Sequence, residues 1–150
     1  MIIMYTDGAA KGNPGKGGYG VVLMTADGKH RKELSQGYFK TTNNRMELLA
    51  VIVGLEALKR PMKVKVYSDS KYVVDAVDKG WVFGWEKKNF AKKANPDLWK
   101  RFLAIYRKHQ VSFQWVKGHA NIPENERCDQ LAVEAAESGD LLVDEGYEGK

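Results

Sequence analysis

Four carboxylates in this chain stand where a lone charge is unusual, and they lie far apart in the sequence: Asp7, Glu47, Asp69 and Asp129. The first closes an apolar stretch, the second interrupts the most apolar run, the third follows a strand-like segment, and the fourth lies in an apolar helix pattern. Burying a carboxylate without a cation is costly, so acids in such places usually have a positive partner. If the fold gathers all four, a divalent metal ion is the natural partner.

No other set of side chains offers comparable chemistry. The one cysteine, Cys128, fits the core face of a helix better than a nucleophilic role. His119 lies in the glycine-hinged segment 117–121, and taken alone it indicates an exposed loop histidine. The glycine-rich segment 12–20 lacks the Gly-Lys-Ser/Thr ending of a P-loop, which excludes nucleotide binding of that kind. The four acids are therefore the candidate reactive centre.

The charge distribution points to a polyanionic partner. The net charge is +5, but residues 137–150 carry −4 and residues 1–136 carry +9. Segment 79–101 is the most basic, with seven bases against two acids, and it interleaves large aromatic residues with them, among them Trp81, Trp85, Phe90 and Trp99. A positive surface that bears aromatic rings suits nucleic acid. The alternative is a solvated charged face whose aromatic rings pack inward.

Composition limits the class of protein. A chain of 150 residues fits one domain that can build a core, and 43% hydrophobic residues is ordinary for a globular protein. No apolar run approaches the roughly 20 residues of a membrane span. The N-terminus does not resemble a secretory signal peptide, and one cysteine excludes an internal disulfide. We expect a cytoplasmic protein that does not associate with a membrane.

The pattern of apolar residues predicts an α/β fold with a five-stranded mixed sheet flanked by helices. The predicted strands are 2–7, 19–25, 32–39, 64–68 and 111–116. Asn43 or Asn44 is predicted to cap a largely buried helix reaching about residue 59, and later helices are predicted after Ser68 or Ser70, near 80–85, from Pro96 and from Pro123. The segment from Ser138 is acidic, and we expect it to be ordered only in part.

This arrangement could bring the acids together. Asp7 ends the first strand and Asp69 ends the fourth, so their carboxylates would be neighbours if those strands pair in parallel. Ligands in open α/β sheets bind at the carboxyl ends of the strands. Glu47 would then come from the buried helix and Asp129 from the last helix. Periodicity does not establish the strand order, so this convergence is a hypothesis.

Five segments, in order, resemble the motifs of one enzyme family. They are Tyr5-Thr-Asp-Gly with Gly12-Asn-Pro-Gly-Lys-Gly-Gly-Tyr-Gly20; Thr41-Thr-Asn-Asn-Arg-Met-Glu-Leu48; Tyr67-Ser-Asp-Ser-Lys-Tyr72; the 81–101 stretch; and Trp115-Val-Lys-Gly-His-Ala120 with Pro123-Glu-Asn-Glu-Arg-Cys-Asp129. The chain resembles a type 1 ribonuclease H of the bacterial, free-standing kind over residues 1 to about 136. The resemblance implies a ribonuclease H-like fold and a catalytic domain at 1–137 with a basic protrusion at 79–101. The acidic residues at 138–150 form a tail beyond this domain.

The resemblance also implies an activity and a set of site residues. The family hydrolyses the RNA strand of RNA–DNA hybrids endonucleolytically, leaving 5′-phosphate and 3′-hydroxyl ends. The catalytic residues would be the four acids, which bind two Mg²⁺ ions with Mn²⁺ as a possible substitute, and His119, which transfers protons or assists product departure. The substrate-binding residues would be Asn13, Thr42, Asn43, Asn44, Lys71, Trp81, Trp85, Lys87, Lys88, Lys92 and Lys93. We expect a monomer whose partner is the hybrid.

The chain departs from the family pattern in three places. Lys71 stands where glutamine is common among bacterial members, which leaves open whether this side chain meets a base edge or a phosphate. Ala9 and Ala10 replace a small polar pair, and the acidic tail has no counterpart in the shortest members. The alternative functions are a non-catalytic nucleic-acid-binding domain and another two-metal nuclease or strand-transfer enzyme of the same fold.

Overall fold

The computed structural model describes residues 1–118 and 122–148. Its strands are β1 (Ile2–Ala10), β2 (Gly15–Thr25), β3 (Arg31–Thr41), β4 (Lys63–Ser68), β5 (Gln110–Trp115) and β6 (Leu141–Leu142). Its helices are α1 (Asn43–Glu56), α2 (Lys71–Asp78), α3 (Trp81–Lys87), α4 (Pro96–Tyr106), α5 (Pro123–Glu137) and α6 (Glu145–Glu148). The predicted α/β fold with a mixed sheet flanked by helices is confirmed, although the sheet has a sixth strand.

The sheet order is β5-β4-β1-β2-β3-β6. The first three strands form an antiparallel meander. The turn that joins β2 to β3 is tight because Gly28 adopts a positive φ of 77°. On the other side β1 pairs with β4 in parallel, and β4 pairs with β5 in parallel. The hypothesis that β1 and β4 are parallel neighbours is therefore correct.

Helices cover both faces of the sheet because the strands at its centre are apolar on both sides. Along β2, Val21 and Leu23 belong to the main core under α1, whereas Val22 points to the other face and packs with Cys128 and Leu131 of α5. This double burial explains the continuous apolar run in β2, which is typical of a central strand.

Helix α1 is buried along most of its length, as its sequence predicts, and ten of its 14 residues are buried. Its first residue is Asn43, and the N-cap is Thr42, whose hydroxyl accepts a hydrogen bond from the Arg45 amide at 3.2 Å. The prediction that Asn43 or Asn44 caps the helix is wrong by one residue. The threonine hydroxyl thus accepts from a first-turn amide that has no partner within the helix. The side chains of Asn43 and Asn44 are exposed.

Two glycines let helices approach the sheet closely. A side chain at Gly8 in β1 would meet the backbone of Met46 and Glu47, and a side chain at Gly20 in β2 would meet the carbonyl of Cys128. The glycine-rich segment from residue 8 to 18 is mostly strand, with a bend at 11–14. Gly8 therefore lets α1 lie close to β1, and Gly20 lets α5 lie close to β2.

The acidic tail forms part of the fold. Residues 141 and 142 form β6, which extends the sheet beyond β3 through the pairs Gly37–Leu141 and Tyr38–Leu142. Asp144 is buried. Partial order was expected for this segment, but it carries the sixth strand and the short helix α6 up to residue 148. Among the described residues, no helix combines the length and apolar character needed to cross a membrane.

Candidate active site

Asp7 and Asp69 meet at one edge of the sheet because β1 and β4 are in register. Tyr5 pairs with Tyr67, and their rings stack with centroids 4.9 Å apart. Asp7 lies two residues after Tyr5 in β1, and Asp69 directly follows the last residue of β4, so this register places the two aspartates side by side. The indole Nε1 of Trp115 donates to the Asp69 carbonyl at 3.1 Å, which holds the end of β4 against β5.

Glu47 reaches the same place from the first turns of α1. The Gly8 amide donates to Asp7 Oδ1 at 2.9 Å and also to Glu47 Oε1. This amide lies between the two carboxylates because the absence of a side chain at Gly8 lets α1 approach β1. Gly8 is part of the sequence motif, but its residue type alone does not indicate that its amide donates to both carboxylates.

The structure brings three of the four predicted acids into direct proximity. One carboxylate oxygen from each of Asp7, Glu47 and Asp69 lies within 4.8 Å of the other two. Asp129, on α5, does not join this tight group, but it lines the two adjoining cavities together with Asp7 and Asp69. Among residues 1–118 and 122–148, none of the four acids forms an ion pair with a basic side chain.

Crowding and burial disfavour negative charge in this cluster. Desolvation and the neighbouring charges of Asp69 and Asp129 raise the pKa of Asp7 to about 7, even though hydrogen bonds from Glu47 and the Gly8 amide act in the opposite direction. Burial, followed by repulsion from Asp7 and Asp69, raises the pKa of Glu47 well above its ordinary value. Closely spaced carboxylates with raised pKa values are typical of functional sites and of cation-binding sites. The donor set, three carboxylates at short range with a fourth beside them, fits Mg²⁺ or Mn²⁺, which prefer oxygen ligands.

The predicted contacts to the hybrid backbone lie beside this cluster. Asn43 Oδ1 accepts from the Ala10 amide at 2.6 Å, and Asn13 Oδ1 accepts from the Asn43 amide at 3.0 Å. Both side-chain oxygens are thus occupied by the backbone, which leaves each Nδ2 group to donate outward. Asn43 and Asn44 also line the cavity that contains Asp7, Glu47 and Asp69. The structure therefore brings Asn43 and Asn44 next to the acids, with Asn13 hydrogen-bonded to Asn43 and Thr42 at the N-cap of the same helix.

The basic protrusion divides its aromatic residues between the core and the surface. Trp99 and Phe90 are buried, whereas Trp81 is 49% exposed. Trp85 is half-buried against the core, with Lys93 Nζ 5.1 Å from its ring centroid. The four lysines predicted to bind the DNA strand are all exposed: Lys87, Lys88, Lys92 and Lys93. Some aromatic rings of this segment therefore pack into the core, as the alternative interpretation expected, and others are exposed on the basic surface, as nucleic-acid binding would require.

Lys71 lies at the rim of the acidic site. It lines the same cavity as Asp7, Glu47 and Asp69, and its Nζ is 4.8 Å from the ring centroid of Trp115. Cation–π contact of this kind holds an ammonium group in place without neutralising it. The ammonium of Lys71 therefore remains available to an acceptor on a bound polyanion.

Residues 1–137 match the family model described as RNase H. The chain belongs to the ribonuclease H family. It is 58% identical over 152 residues to a ribonuclease H of Syntrophus aciditrophicus, an alignment that covers 98% of this chain and 87% of the relative. The structure superimposes on LC9-RNase H1, a type 1 RNase H with the type 2 active-site motif, with a TM-score of 0.80 at 32% identity, covering 99% of this chain and 79% of that one.

A second solved structure is LC11-RNase H1 in complex with an RNA/DNA hybrid, with a TM-score of 0.71 at 31% identity over 91% of this chain and 96% of that one. The predicted family, the ribonuclease H-like fold and the prediction that the chain is a nuclease enzyme are confirmed. The family is metal-dependent, and the carboxylate cluster agrees with that property.

The predicted catalytic residues of this ribonuclease H-family chain include one outside the part of the chain that the structure describes. His119 lies outside the described residues, which end at Gly118 and resume at Ile122. Sequence reasoning also gave no role to Trp115, which holds the Asp69 backbone, or to Arg45, whose buried guanidinium lies two residues before Glu47. For Arg45 the signal was present: an arginine inside an apolar helix requires acidic partners.

Proposed function

We propose that the chain hydrolyses the RNA strand of RNA–DNA hybrids endonucleolytically, leaving 5′-phosphate and 3′-hydroxyl ends. One observation carries the proposal. The carboxylates of Asp7, Glu47 and Asp69 converge at the carboxyl ends of β1 and β4 without a basic partner among the described residues. Asn43, Asn44 and Lys71 line the cavity of this acidic site, and the chain also carries the lysine-rich protrusion and a net charge of +5.

The four acids are assigned to two divalent metal ions, Mg²⁺ with Mn²⁺ as a possible substitute. Asp7 would serve both ions, Glu47 and Asp69 would hold the ion that activates the attacking water, and Asp129 would hold the ion that stabilises the leaving group. Bound divalent ions supply an activated water and stabilise charge on the leaving 3′-oxygen. The Gly8 amide keeps the Asp7 and Glu47 carboxylates in place for this role, since it donates to both.

Selectivity for hybrids requires contacts to each strand. The exposed side-chain amides of Asn43 and Asn44 suit the 2′-hydroxyl and base-edge acceptors of an RNA strand. Asn13 and Thr42 are assigned to a phosphate of the DNA strand, and Trp81 to a deoxyribose, where a 2′-hydroxyl would clash. Because such contacts are made to sugar and phosphate, sequence preference should be weak.

The basic protrusion is assigned to the DNA backbone through Lys87, Lys88, Lys92 and Lys93. Replacing these four lysines with glutamine should weaken hybrid binding and flatten its dependence on salt, because fewer counterions are released. Binding titrations over a series of salt concentrations measure this slope. An unchanged slope would remove the protrusion from the proposed interface.

Lys71 and His119 complete the proposed set. The ammonium of Lys71 lies beside the acids and suits a phosphate or a base acceptor of the substrate. His119 is assigned to proton transfer or product departure, and His119→Ala should slow turnover without abolishing it, because the metal-bound acids make the larger electrostatic contribution. The enzyme is proposed to act as a cytoplasmic monomer, and light scattering with and without hybrid measures its oligomeric state.

The deciding experiment compares an RNA–DNA hybrid with duplex DNA, duplex RNA and single-stranded RNA of the same sequence, with and without Mg²⁺. Cleavage is expected only in the RNA strand of the hybrid and only with the metal ion. Binding without cleavage of any substrate would favour a non-catalytic nucleic-acid-binding domain. Metal-dependent cleavage or strand transfer on duplex DNA would favour another enzyme of this fold.

A further inference from the structure

The C-terminal segment is joined to α1 through the buried Arg45. The Arg45 side chain is 1% exposed and makes four charged hydrogen bonds, all to two carboxylates. Its Nε and Nη2 donate to Asp144 at 2.8 and 2.9 Å, and its Nη1 and Nη2 donate to Asp97 at 2.9 and 2.7 Å. Bidentate pairs of this kind fix orientation as well as distance.

The partners of Arg45 come from two distant parts of the chain, and one of them, Asp144, has a further contact to β3. Thr41, at the end of β3, donates its hydroxyl to Asp144 Oδ2 at 2.7 Å. Asp97 lies in the first turn of α4, where the basic protrusion ends, and Asn95 just before it accepts from Arg45 Nη1 at 3.3 Å. We refer to Thr41, Arg45, Asn95, Asp97 and Asp144 as the Arg45 cluster.

The cluster also extends to the rim of the acidic site. Asn95 Nδ2 donates to the Tyr72 hydroxyl at 3.1 Å, and Trp99 Nε1 donates to the same oxygen at 2.9 Å. Tyr72 follows Lys71 and lines the cavity of the acids. Hydrogen bonds thus connect the C-terminal segment, α1, the base of the protrusion and α2.

The C-terminal segment fits this position tightly. A side chain at Gly146 would meet the carboxylate of Asp97 and the guanidinium of Arg45. The pairing of Leu141 with Gly37 holds the segment at a second point, on the edge strand β3. The segment is therefore anchored on both sides of Asp144.

The residues assigned to the hybrid lie on both sides of this cluster. Thr42, Asn43 and Asn44 fall between Thr41 and Arg45, so the two ends of this short stretch are held by Asp144. On the other side, Asp97 and Asn95 hold the end of the protrusion that carries the four lysines. The Arg45 cluster therefore sets the position of the asparagine stretch relative to the protrusion.

We propose that the acidic C-terminal segment is a positioning element for hybrid binding, in which Asp144 fixes the asparagine stretch at the start of α1 relative to the basic protrusion through Arg45. This inference deepens the proposed function and depends on it. Asp144 is a positioning residue, since its carboxylate is engaged by Thr41 and Arg45 and is buried.

The two possible effects of Asp144→Asn change hybrid affinity in opposite directions. Asp144→Asn removes one negative charge from a protein that binds a polyanion, so long-range attraction would become slightly stronger. Positioning predicts weaker binding, because two surfaces that are no longer held in register must be ordered at the moment of association. The direction of the change therefore separates the two effects.

The test measures hybrid affinity of Asp144→Asn by fluorescence anisotropy in the presence of a chelator, well below the unfolding temperature of each protein. We expect the Kd to rise about five- to tenfold, as for a loss of preorganisation, with the salt slope unchanged because the phosphate contacts remain. With Mg²⁺, KM should rise while kcat changes little. The matched control is Glu145→Gln, which removes the same charge from the adjacent, exposed residue and should bind no more weakly than the unmodified protein.

Thr41→Val provides a second, milder variant, because it removes only the hydroxyl that donates to Asp144. It should raise the Kd in the same direction by a smaller factor. Wild-type affinity in both variants, with only their unfolding temperatures lowered, would overturn the positioning role and leave the proposed function intact. If the unmodified protein neither binds nor cleaves the hybrid, the proposed function itself fails.

Discussion

Helix α1 carries two charged residues of opposite sign, and their surroundings differ in one decisive respect. Arg45 is buried between Asp97 and Asp144, so these carboxylates have a cation built into the fold. Glu47 lies two residues later beside Asp7 and Asp69, and no basic side chain among the described residues pairs with those three acids. The acids around Arg45 therefore have a cation within the fold, whereas the acids around Glu47 have none among the described residues.

The pKa values reflect the same difference. Hydrogen bonds from Arg45 hold the pKa of Asp97 below its ordinary value against the effect of burial. Burial and mutual repulsion raise the pKa of both Asp7 and Glu47. The comparison indicates that acids in the first group stabilise the fold, and that acids in the second group are held ready for a cation from solution.

The largest effect is expected from Asp7→Asn. This change removes the carboxylate assigned to both metal ions, so Mg²⁺-dependent cleavage of a hybrid should fall by roughly a thousandfold or more. Hybrid binding should remain close to that of the unmodified protein, because the binding contacts lie elsewhere. Gel-based cleavage assays and binding titrations measure the two quantities.

Asp140→Asn is the matched control for that experiment, since Asp140 is an exposed acid of the tail. Its cleavage rate should be unchanged. Near-normal cleavage by the Asp7 variant would refute the assignment of the acidic site.

The next largest effect is expected from Arg45→Met, which leaves Asp144 buried without its cation. Removing one partner of a buried ion pair costs about 3–5 kcal/mol in the free energy of unfolding. Urea denaturation monitored by circular dichroism measures this loss. A loss of less than about 1 kcal/mol in the free energy of unfolding would show that the ion pairs of Arg45 contribute no more than exposed ones do.

The acidic site should make the metal-free protein less stable as pH rises. The pKa of Asp7 is about 7 in the folded state and about 4 in an unfolded chain, so the folded state binds the proton more tightly. Its stabilising contribution is complete below pH 4 and is lost as pH rises through 7. With a chelator present, Asp7→Asn should therefore stabilise the protein more at pH 8 than at pH 5, by on the order of 1–3 kcal/mol.

Urea denaturation at both pH values measures this difference. An equal effect of Asp7→Asn at pH 5 and pH 8 would contradict the raised pKa of the folded state.

The smallest effect is expected where a pair of charges is exposed. Arg101 donates to Glu56 at 2.5 and 2.8 Å, but both side chains are well exposed to solvent. Glu56→Gln should lower the free energy of unfolding by less than about 1 kcal/mol. A loss as large as that of Arg45→Met would show that burial does not distinguish the two ion pairs.

Much of the site could be predicted from the sequence. Apolar strands that end in Asp7 and Asp69, and a buried helix that contains Glu47, indicated the convergence that the parallel pairing of β1 with β4 produces. Periodicity does not determine the strand order, which only the structure supplies.

The remainder depends on contacts between distant parts of the chain. Strand β6 has two residues, too few for an alternating pattern, and its flanking acids are typical of a solvated tail. The partnership of Asp144 with Arg45 spans 99 positions, so neither residue indicates the other locally. Likewise, the two roles of the aromatic residues in the basic segment depend on packing against the core, which composition does not encode.

The most direct test of the central claim is a Mg²⁺ titration of the unfolding temperature in the absence of nucleic acid. If the acids await a cation, the unfolding temperature of the unmodified protein should rise with Mg²⁺ concentration, as linkage requires for an ion that binds only the folded state. It should respond little in Asp7→Asn, and it should rise normally in Glu145→Gln. No rise in the unmodified protein, or an equal rise in Asp7→Asn, would contradict the account.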